Sequence, residues 1–469
     1  MSEKIITQEE VGYISQLIER ARKAQKIAES YTQEQVDELV MAIAWSTVKK
    51  EVAQELAQMA YDESKMGNVE TKFMKFRNKV PCVLDELKRQ KSIGLIEEIP
   101  EKGLKKYAKP VGVVGALIPS TQPEMTPVVK AMFGLKARNA VLFSPHPRTQ
   151  KTTLKVVNYM RAALKKHGAP EDLLLCAENP SIPMSREIMK QCDLVVATGG
   201  AGMVHAAYSS GTPAYGVGVG NDVAIVDETA DLKDAAQKIF ISKNFDHASG
   251  CSCENAMVIH ESVYEAMIAE MKALGSYMCG AEEKARLQKV MWPEPGKLSM
   301  KIITQPATLI AGLAELPIPE NCKVIMVEET GSGSQFPFSG EKLSIVMAVY
   351  KYSGGIDNAI EILNANQAYQ GAGHSCSIHS QDQENIRQVC LKTYTTRVMV
   401  CQGTNTGNSG TWTNGMPRTV VLGCGTWGGN IASENIVLKH FYNTTWVSEP
   451  LNVSIPSLKD VFGDFMDEE

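Results

Sequence analysis

The sequence predicts an α/β protein built on parallel β-sheets. From Pro110 onward, short apolar runs typical of buried strands alternate with segments of helical periodicity. The runs at 111–118, 140–143 and 194–197 are almost wholly apolar, as strands are when helices cover both faces of their sheet. Buried strands separated by helices favour right-handed crossovers and therefore parallel sheets. This fold class by itself identifies no ligand.

Composition and charge restrict the class of protein. The chain has 469 residues, of which 44% are hydrophobic and 22% charged, which is ordinary for a globular protein of two or three domains. A formal net charge of -5 gives no reason to expect nucleic acid or an acidic membrane surface as a partner. The 11 cysteines follow no repeated spacing, and no signal-peptide or membrane-length apolar segment is present. These features predict reduced thiols in a cytoplasmic protein.

The first quarter of the chain predicts helices followed by a β-hairpin or arm. Apolar residues recur at helical spacing from Val11 to about Lys75, beginning with Val11, Ile14, Leu17, Ile18 and Ala21. Such an amphipathic first helix is compatible with packing on the protein or with docking to a larger assembly. From 93 to 109 the pattern changes to short alternating pieces, which predict the hairpin.

Two α/β segments follow this arm. The first predicts strands and helices in alternation at 111–118, 128–136, 140–143, 152–166, 173–176, 185–191, 194–197, 201–208 and 214–219. The second predicts strands at 256–259, 323–327, 343–350 and 397–401, and helices at 262–274, 282–290 and 353–366. We therefore expect a cofactor-binding domain over 1–245, a catalytic domain over 246–436 and a C-terminal oligomerisation tail over 437–469. Residues 437–456 alternate like an edge strand that can pair with a neighbouring subunit.

Two glycine clusters lie where a ligand can approach the backbone. Thr198-Gly-Gly-Ala-Gly202 follows a predicted strand and opens a helix, so its free amides can face a phosphate. Its spacing differs from the G-x-G-x-x-G dinucleotide fingerprint, and a plain strand-to-helix turn would read the same way. The second cluster, at 216–221, leaves a flat backbone suited to a planar ligand.

The segment 245–255 contains two cysteines that can carry covalent chemistry. Cys251 follows Gly250, where the backbone can turn sharply and admit a substrate, and Cys253 lies two residues further on. Thiolates are strong nucleophiles and good leaving groups from a thioester. Two alternatives are a pair of buried structural cysteines and a zinc site that also uses His247 and His260. The lone C-x-C is poor spacing for zinc, and we predict no metal.

Nine stretches in register over about residues 10–450 resemble the aldehyde dehydrogenase superfamily, and specifically its CoA-acylating branch. They are 110–119, Phe143-Ser-Pro-His-Pro-Arg148, Ala197-Thr-Gly-Gly-Ala-Gly202, 216–221, 245–254, Glu341-Lys-Leu-Ser344, Gly373-His374, 422–430 and Ser433-Glu-Asn435. The resemblance implies a parallel-sheet cofactor domain, an α/β catalytic domain and a β oligomerisation arm. It also implies a homodimer or homotetramer.

The resemblance implies a catalytic role for two residues. Cys251 falls at the position of the family's reactive cysteine. Thr121 falls where hydrolytic relatives place an oxyanion-holding asparagine, so its hydroxyl and the Cys251 amide would hold the oxyanion. We expect His247, His374 and Cys253 to support the site rather than to act in the chemistry.

The same resemblance implies a nicotinamide cofactor, NAD or NADP. The implied cofactor-binding residues are Ser144, Pro145, His146 and Arg148 on the adenosine side, Gly199, Gly200 and Gly218 along the Gly-rich turns, and Glu341 at the nicotinamide ribose. Hydrolytic NAD enzymes often place a glutamate near the position of Pro147, and none is present here. His146 and Arg148 can therefore also admit the 2′-phosphate of NADP.

A departure from the hydrolytic pattern predicts CoA as the acyl acceptor. Hydrolytic members read Glu-Leu-Gly-Gly-Lys where this chain reads Val217-Gly-Val-Gly-Asn221, so Val217 replaces the glutamate that activates water. A cysteine thioester without that base awaits a better nucleophile, and a thiol needs little base assistance. The predicted reaction converts an aldehyde to an acyl-CoA thioester. The alternatives are another carboxylate acting for the missing glutamate, or an inactive structural or metal-binding protein.

The polar segment 402–415 predicts an aldehyde with an anionic tail. Its dense hydroxyl and amide groups can pair with acceptor oxygens removed from water, and we assign substrate binding to Thr404, Asn405 and Arg418. The text around Trp412 and Trp446 is most similar to the acylating sulfoacetaldehyde dehydrogenases of the family. Sulfoacetaldehyde is therefore the expected substrate, with succinate semialdehyde and acetaldehyde as alternatives.

Overall fold

The computed structural model describes residues 5–468 and contains three β-sheets. Two of the sheets are parallel and one is antiparallel, which confirms the predicted α/β class. Of the helices in this range, none has the combination of length and apolar character that crossing a membrane requires.

Four helices form the N-terminal layer and pack on the first sheet. They are α1 (Gln8–Ala28), α2 (Gln33–Val48), α3 (Lys50–Ser64) and α4 (Val69–Leu87). Capping boxes at Thr7 and Thr32 satisfy the first free amides of α1 and α2. Ile14 and Ile43 are fully buried in the same core as the strands of the first sheet, so the apolar face of α1 packs within the protein. The predicted N-terminal helices are confirmed.

The first sheet is parallel, with the order β5-β4-β3-β6-β7. Its strands are β3 (Val113–Ile118), β4 (Ala140–Pro145), β5 (Leu174–Cys176), β6 (Leu194–Thr198) and β7 (Ala214–Val217). The helices between them are α5 (Thr126–Lys136), α6 (Gln150–Lys166), α7 (Ile182–Gln191) and α8 (Ala201–Tyr208). Strand β3 is buried along its whole length, as the unbroken apolar run predicts.

The second sheet is also parallel, with the order β10-β11-β12-β9-β8-β13-β14. Its strands are β8 (Asp222–Val226), β9 (Glu254–His260), β10 (Ser276–Cys279), β11 (Val324–Glu328), β12 (Val346–Tyr352), β13 (Cys376–His379) and β14 (Val398–Val400). Its helices are α9 (Leu232–Asn244), α10 (Tyr264–Ala273), α11 (Ala281–Met291), α12 (Ala307–Ala314), α13 (Ile356–Tyr369), α14 (Gln383–Lys392) and the short α15 (Thr404–Gly407).

The third sheet is the predicted arm. Strands β1 (Gly94–Ile99) and β2 (Leu104–Pro110) form the expected antiparallel hairpin, and β15 (Tyr442–Ser448) pairs with β2. The C-terminal strand thus pairs with β2 of its own chain along one edge and ends the sheet, and pairing of its other edge with a neighbouring subunit stays a prediction. A short helix, α16 (Leu458–Phe462), follows it.

The change from the first parallel sheet to the second falls at a different residue from the predicted domain boundary. Strand β8 pairs with β9 and β13, so the second sheet begins near Asp222 rather than after residue 245. The chain also returns to the first core before residue 436, because Val421 and Leu422 are buried with the first sheet's residues. The apolar run 223–226 suits a buried strand in either sheet, and sequence periodicity cannot choose between two neighbouring sheets.

Several helices and strands of the second sheet have no clear signal in the sequence. Strand β10, helix α12, strand β13 and helix α14 lie in stretches for which the sequence analysis predicts no element. The predicted strand 343–350 begins later, at Val346, because Leu343 adopts a positive φ of 39° that no strand tolerates. Strand β13 has the mixed sequence Cys-Ser-Ile-His and lacks a strand signature.

The turn before Cys251 holds an unusual backbone. Asp246, His247 and Ala248 have successive φ values of 50°, 49° and 58°, and such left-handed conformations are costly for residues other than glycine. The fully buried Asp246 carboxylate stabilises this turn. It accepts hydrogen bonds from the Lys75 Nζ at 2.5 Å, the Asn68 backbone amide at 2.8 Å and the Ser249 hydroxyl at 2.7 Å.

We predict that Asp246→Asn destabilises the protein in a pH-dependent way. Burial alone would raise the pKa of Asp246, but Lys75 and Lys72 overcome it and hold that pKa at about 2, below the ordinary 3.8. Replacing the carboxylate leaves the buried ammonium groups of Lys72 and Lys75 without their shared counter-ion. This lowers the free energy of unfolding by about 3 kcal/mol or more at pH 6. The depressed pKa means that this stabilisation is complete above pH 4 and is lost as the pH falls toward 2.

Urea titrations of both proteins at pH 6 and pH 3 measure this effect. The difference in unfolding free energy between wild type and Asp246→Asn should narrow by about 1 kcal/mol at the lower pH. The control is Asp62→Asn, which alters an exposed carboxylate on α3 and should change stability by less than about 0.5 kcal/mol. Equal effects of the two substitutions would contradict the prediction.

Candidate active site

Cys251 lies in the turn that leads into β9, beside a buried histidine. The Cys251 Sγ is 3.2 Å from the Nε2 of His374, which precedes β13. Cys251 is half-buried, while His374 is fully buried. The backbone of Gly220 passes so close that a Cβ there would lie 1.8 Å from the Cys251 carbonyl oxygen. Only glycine allows this approach, and it fixes the cysteine turn against the entry to β8.

A buried carboxylate lies on the other side of the imidazole. The Oδ1 of Asp222 is 3.0 Å from the His374 Nδ1, and the Ser375 hydroxyl oxygen is 2.8 Å from the same nitrogen. Burial lowers the pKa of His374, but the charges of Asp222 and Cys251 outweigh it and raise that pKa well above its ordinary 6.5. The arrangement favours an imidazolium that faces the Asp222 carboxylate on one side and the Cys251 sulfur on the other.

Sequence reasoning named Cys251 but missed this use of His374 and Asp222. The three residues are far apart along the chain, and no local spacing connects them. They come together because each begins or precedes one of three neighbouring parallel strands, β9, β8 and β13, at the same edge of the sheet. The order of these three strands could not be inferred from the sequence, because β13 was not predicted.

A cavity of about 600 Å³ opens from Cys251 toward the carboxyl ends of the first sheet. It collects most of the residues predicted to bind the cofactor, together with Thr121. Those on its wall are Ser144, Pro145, His146, Gly199, Gly200, Gly218 and Glu341. Thr121 and Cys251 thus face the same space, and the Thr121 carbonyl accepts a hydrogen bond from the Lys72 Nζ at 3.2 Å. We call this space the cofactor cavity.

The wall of the cofactor cavity suits a dinucleotide. The Thr198 hydroxyl is buried there without a hydrogen-bond partner, and a Cβ at Gly200 or Gly218 would meet open space, so these backbones stand clear for a ligand. Gly200 is the N-cap of α8, whose first amides point toward this end of the cavity. The Glu341 Oε1 accepts from the Gly220 amide at 3.1 Å, and its second oxygen is left for ribose hydroxyls. Burial raises the pKa of Glu341 to about 7.

Arg148 does not lie on this wall. Its guanidinium donates to the Ser64 carbonyl oxygen at 3.2 Å, and it faces a separate surface cavity. His146 does line the cofactor cavity, and its Nδ1 accepts from the Arg148 backbone amide at 3.1 Å. Burial and the neighbouring Arg148 charge lower the pKa of His146, which favours a neutral ring. The prediction that Arg148 contacts the cofactor is therefore not supported, because its side chain turns back to α3.

A second cavity, of about 240 Å³, opens from Cys251 on the opposite side. It is bounded by α4, by the cysteine turn and by residues 405–412, and we call it the substrate cavity. Four residues line both cavities: Gln122, Ser249, Cys251 and Val420. The thiol therefore lies where the two spaces meet, so that a substrate and a cofactor can approach it from different directions.

The three residues predicted to bind substrate have different positions. Asn405 lines the substrate cavity. Thr404 is fully buried behind it, and its hydroxyl donates to the Ser252 carbonyl oxygen at 2.7 Å. Arg418 does not line the cavity. Its guanidinium contacts the Asp85 carboxylate at 2.8 Å and stacks on the outer side of Trp412, so nearby acidic residues on α4 have drawn it away from the substrate.

The second cysteine and the hypothetical zinc ligands do not form a site. Cys253 is fully buried, and burial raises the pKa of its thiol to about 12, so it remains a thiol. The His260 ring contacts the Ser262 hydroxyl at 2.7 Å, at the far end of β9. Between residues 5 and 468, no group of three or more His, Cys, Asp or Glu side chains has a metal-binding arrangement.

Comparison with known proteins gives the family. Residues 6–283 match the model of the aldehyde dehydrogenase family. A sulfoacetaldehyde dehydrogenase of an Acholeplasma species is 47% identical over 455 residues, which are 96% of this chain and 94% of that protein. An acylating sulfoacetaldehyde dehydrogenase of Bilophila wadsworthia is 45% identical over 456 residues, covering 96% and 98% of the two chains.

Comparison with solved structures gives the same family. The crystal structure of an acetylating aldehyde dehydrogenase from Geobacillus thermoglucosidasius superposes with a TM-score of 0.91 at 36% identity, covering 96% of this chain and 99% of that one. The similarity extends over both parallel sheets and the arm, which confirms the resemblance that the sequence motifs predict. The chain belongs to the aldehyde dehydrogenase family.

Proposed function

We propose that this protein oxidises an aldehyde to an acyl-CoA thioester through a thioester on Cys251, with hydride transfer to NAD or NADP. The observation that supports it most strongly is the position of Cys251, where the two cavities meet and His374 and Asp222 back the sulfur. The reaction converts an aldehyde, a thiol and an oxidised cofactor into a thioester, a reduced cofactor and a proton.

The resting site supplies a nucleophile. An imidazolium at His374 stabilises negative charge on the Cys251 sulfur through the 3.2 Å contact, and Asp222 keeps the ring charged in spite of its burial. The thiolate attacks the aldehyde carbon and forms a tetrahedral alkoxide. The Thr121 hydroxyl and the Cys251 amide are the donors we assign to that oxygen.

The next step depends on the cofactor cavity. A nicotinamide ring bound there supplies the acceptor for the hydride that leaves the tetrahedral carbon. We assign Glu341 to the ribose, Gly199, Gly200 and Gly218 to the pyrophosphate side, and Ser144, Pro145 and His146 to the adenosine side. Loss of hydride turns the alkoxide into a neutral thioester on Cys251.

The last step favours a thiol over water. Among the described residues that line either cavity, Glu341 is the one carboxylate, and it lies on the cofactor side with one oxygen bound to the Gly220 amide. Val217 is buried in the strand that ends beside it. Water therefore finds no carboxylate base on the substrate side. A thiol such as CoA is much more acidic than water, so a weak base such as a neutral imidazole is enough to deprotonate it.

His374 can handle the proton in this exchange. Once the sulfur is acylated, its negative charge no longer raises the pKa of His374, so burial makes release of the ring proton easier. The neutral Nε2 then accepts the proton of the incoming CoA thiol as the new thioester forms. This restores the imidazolium beside the Cys251 thiolate and completes the cycle.

Sulfoacetaldehyde is the aldehyde we propose as the physiological substrate. The two relatives named above are sulfoacetaldehyde dehydrogenases, and the substrate cavity is lined by many hydroxyl and amide groups. An apolar aldehyde such as acetaldehyde would leave those groups without partners. We further propose a cytoplasmic homodimer or homotetramer, since the 11 cysteines are all free and the exposed face of β15 is available to a second copy.

The test is a comparison of aldehydes with and without CoA, followed by absorbance of the reduced nicotinamide. With CoA, we expect kcat/KM to rank sulfoacetaldehyde above succinate semialdehyde and both above acetaldehyde. Without CoA, one burst of reduced cofactor should be followed by a stall, because the Cys251 thioester has no acceptor. A brisk linear rate that yields free acid, or a preference for acetaldehyde, would overturn the proposal.

We predict opposite outcomes for the two cysteines. Cys251→Ser should reduce aldehyde oxidation to the detection limit, because a serine hydroxyl at this position provides no accessible anion. Cys253→Ser should keep most of the activity, because its thiol is buried and protonated. Circular dichroism of both variants checks that the fold is intact. A reversal of the two effects would mean that the nucleophile has been placed two residues from its true position.

We predict that Asp222→Asn slows alkylation of Cys251 near neutral pH. Without the carboxylate, burial lowers the pKa of His374, the ring loses its proton and the sulfur loses its counter-ion. The rate of iodoacetamide reaction at pH 6.5 should fall by about tenfold, the loss of about 1.4 kcal/mol of charge stabilisation at the sulfur, and the difference from wild type should shrink at pH 9. Ser375→Ala is the matched control, because it removes a contact to the same ring nitrogen without changing charge. An unchanged rate in Asp222→Asn would refute the ion-pair assignment.

A further inference from the structure

We propose that Lys79 is the cation that binds the anionic group of the aldehyde substrate. The inference rests on the function proposed above and identifies which residue selects a sulfonate- or carboxylate-bearing aldehyde over a neutral one. The sequence points to Arg418 as the cation that binds the anionic group, but Arg418 lies outside the substrate cavity.

Lys79 belongs to the face of α4 that lines the substrate cavity. Lys75, Asn78, Lys79 and Cys82 follow one another at helical spacing on this face. Lys75 is nearest to the cysteine turn, since its Nζ lies 3.4 Å from the Ser249 hydroxyl. Lys79 is one turn further along α4, about 6 Å along the helix axis. An aldehyde bound at Cys251 therefore extends past Lys75 toward Lys79.

Of the two lysines that line this cavity, Lys75 forms an ion pair, whereas Lys79 has no carboxylate within 4 Å in the described part of the chain. The buried lysines Lys72 and Lys75 are balanced by the carboxylates of Asp246 and Glu124. Arg418 is balanced in turn by the acidic residues at the end of α4, through its 2.8 Å contact with Asp85. Lys79 makes no ion pair of its own, and the Glu86 charge acts on it only from a distance.

The contacts of Lys79 are all to neutral oxygens. Its Nζ donates to the Ser409 carbonyl oxygen at 2.6 Å, to the Ser409 hydroxyl at 2.9 Å and to the Gly410 carbonyl oxygen at 2.7 Å. These bonds fix the direction of the ammonium group but do not neutralise it. Burial lowers the pKa of Lys79 to about 8 although the more distant Glu86 charge raises it, so the ion is held at a cost that an incoming anion would relieve.

Neutral donors surround this position and suit a sulfonate. Asn78, Asn405, Thr406, Ser409 and Thr411 line the same cavity. A sulfonate presents three oxygens in a tetrahedral spread, which one ammonium and several hydroxyl or amide donors can satisfy together. A carboxylate, with two coplanar oxygens, matches a planar guanidinium better, and Arg418 is turned away. The Lys79 ammonium and these neutral donors therefore suit a sulfonate group.

The experiment compares Lys79→Met with Lys88→Met on two substrates, with CoA present. Methionine keeps the length of the side chain and removes its charge. Lys88 is an exposed lysine at the end of the same helix, so its replacement is the matched control. We expect Lys79→Met to lower kcat/KM for sulfoacetaldehyde by about tenfold to a hundredfold, the loss of one charged hydrogen bond, and to leave that for propionaldehyde nearly unchanged. Lys88→Met should change neither.

The ratio of kcat/KM for the two aldehydes distinguishes binding of the anionic group by Lys79 from mere support of the loop at residues 409–410. If Lys79 only holds residues 409–410 in place, Lys79→Met would reduce activity toward both aldehydes equally, and the inference is overturned. The inference is also overturned if Arg418→Met produces the selective loss and Lys79→Met does not. Melting temperatures of the variants show any shared structural effect.

A binding measurement keeps this test separate from that of the proposed function. 2-Hydroxyethanesulfonate, which has no aldehyde group, should protect Cys251 of the wild type from iodoacetamide. Lys79→Met should need about tenfold more of it for the same protection. Equal protection in both proteins would overturn the role of Lys79. Absence of CoA-dependent turnover in the wild type would instead overturn the proposed function and leave the anion site measurable.

Discussion

Asp246 is the residue on which the geometry of the catalytic turn depends. Three successive residues with positive φ would relax if the chain were free, and no glycine among them makes the conformation inexpensive. Asp246 prevents this because its carboxylate ties α4 to the turn through Lys75 and through the amide of Asn68 at the start of α4. The turn is thereby fixed to the helix that forms the wall of the substrate cavity. The Asp246–Lys75 ion pair therefore holds both the turn that carries Cys251 and the α4 wall of the substrate cavity.

The two sheets meet end to end, and this arrangement explains how a cofactor and a nucleophile come together. The cofactor cavity lies beyond the carboxyl ends of the first sheet, as Thr198 at the end of β6 shows. Asp222, Cys251 and His374 lie at the amino ends of the second sheet. The chain passes from the end of β7 to the start of β8 in only four residues, 218–221. Within this short link Gly218 lines the cofactor cavity and Gly220 lies against the Cys251 backbone, so the link joins the cavity to the cysteine turn.

The parts of this fold that the sequence predicted are those with local signals. Strands β3, β4 and β6 are unbroken apolar runs, and helix α8 follows a glycine turn, so each was placed within a few residues. Strand β13 carries a cysteine, a serine and a histidine, and its burial comes from its place between β8 and β14 in the assembled sheet. Such burial is a property of the assembled sheet and leaves no period in the sequence.

The site shows the same division between local and non-local information. Cys251, Thr121 and Glu341 were placed by motifs, and the structure brings them to one cavity. The roles of His374, Asp222 and Lys79 required knowledge of which strands are neighbours and which charges are already paired. Arg418 was the natural choice for an anion because it lies nearest in sequence to the polar loop, but Asp85 on a distant helix occupies it. Whether a charge is free depends on all of its neighbours in space.

The charges along α4 explain why the same helix can serve both stability and selection. Near the cysteine turn, Lys72 and Lys75 are fully compensated, so they contribute to rigidity without attracting the aldehyde's anionic end toward the thiolate. Lys79 lies one turn later and binds neutral oxygens instead of forming an ion pair. In the role proposed for Lys79, an anionic aldehyde would place its charged group at Lys79 and its carbonyl at Cys251. A helix that neutralised all of its lysines would hold the fold equally well but would give the substrate no preferred orientation.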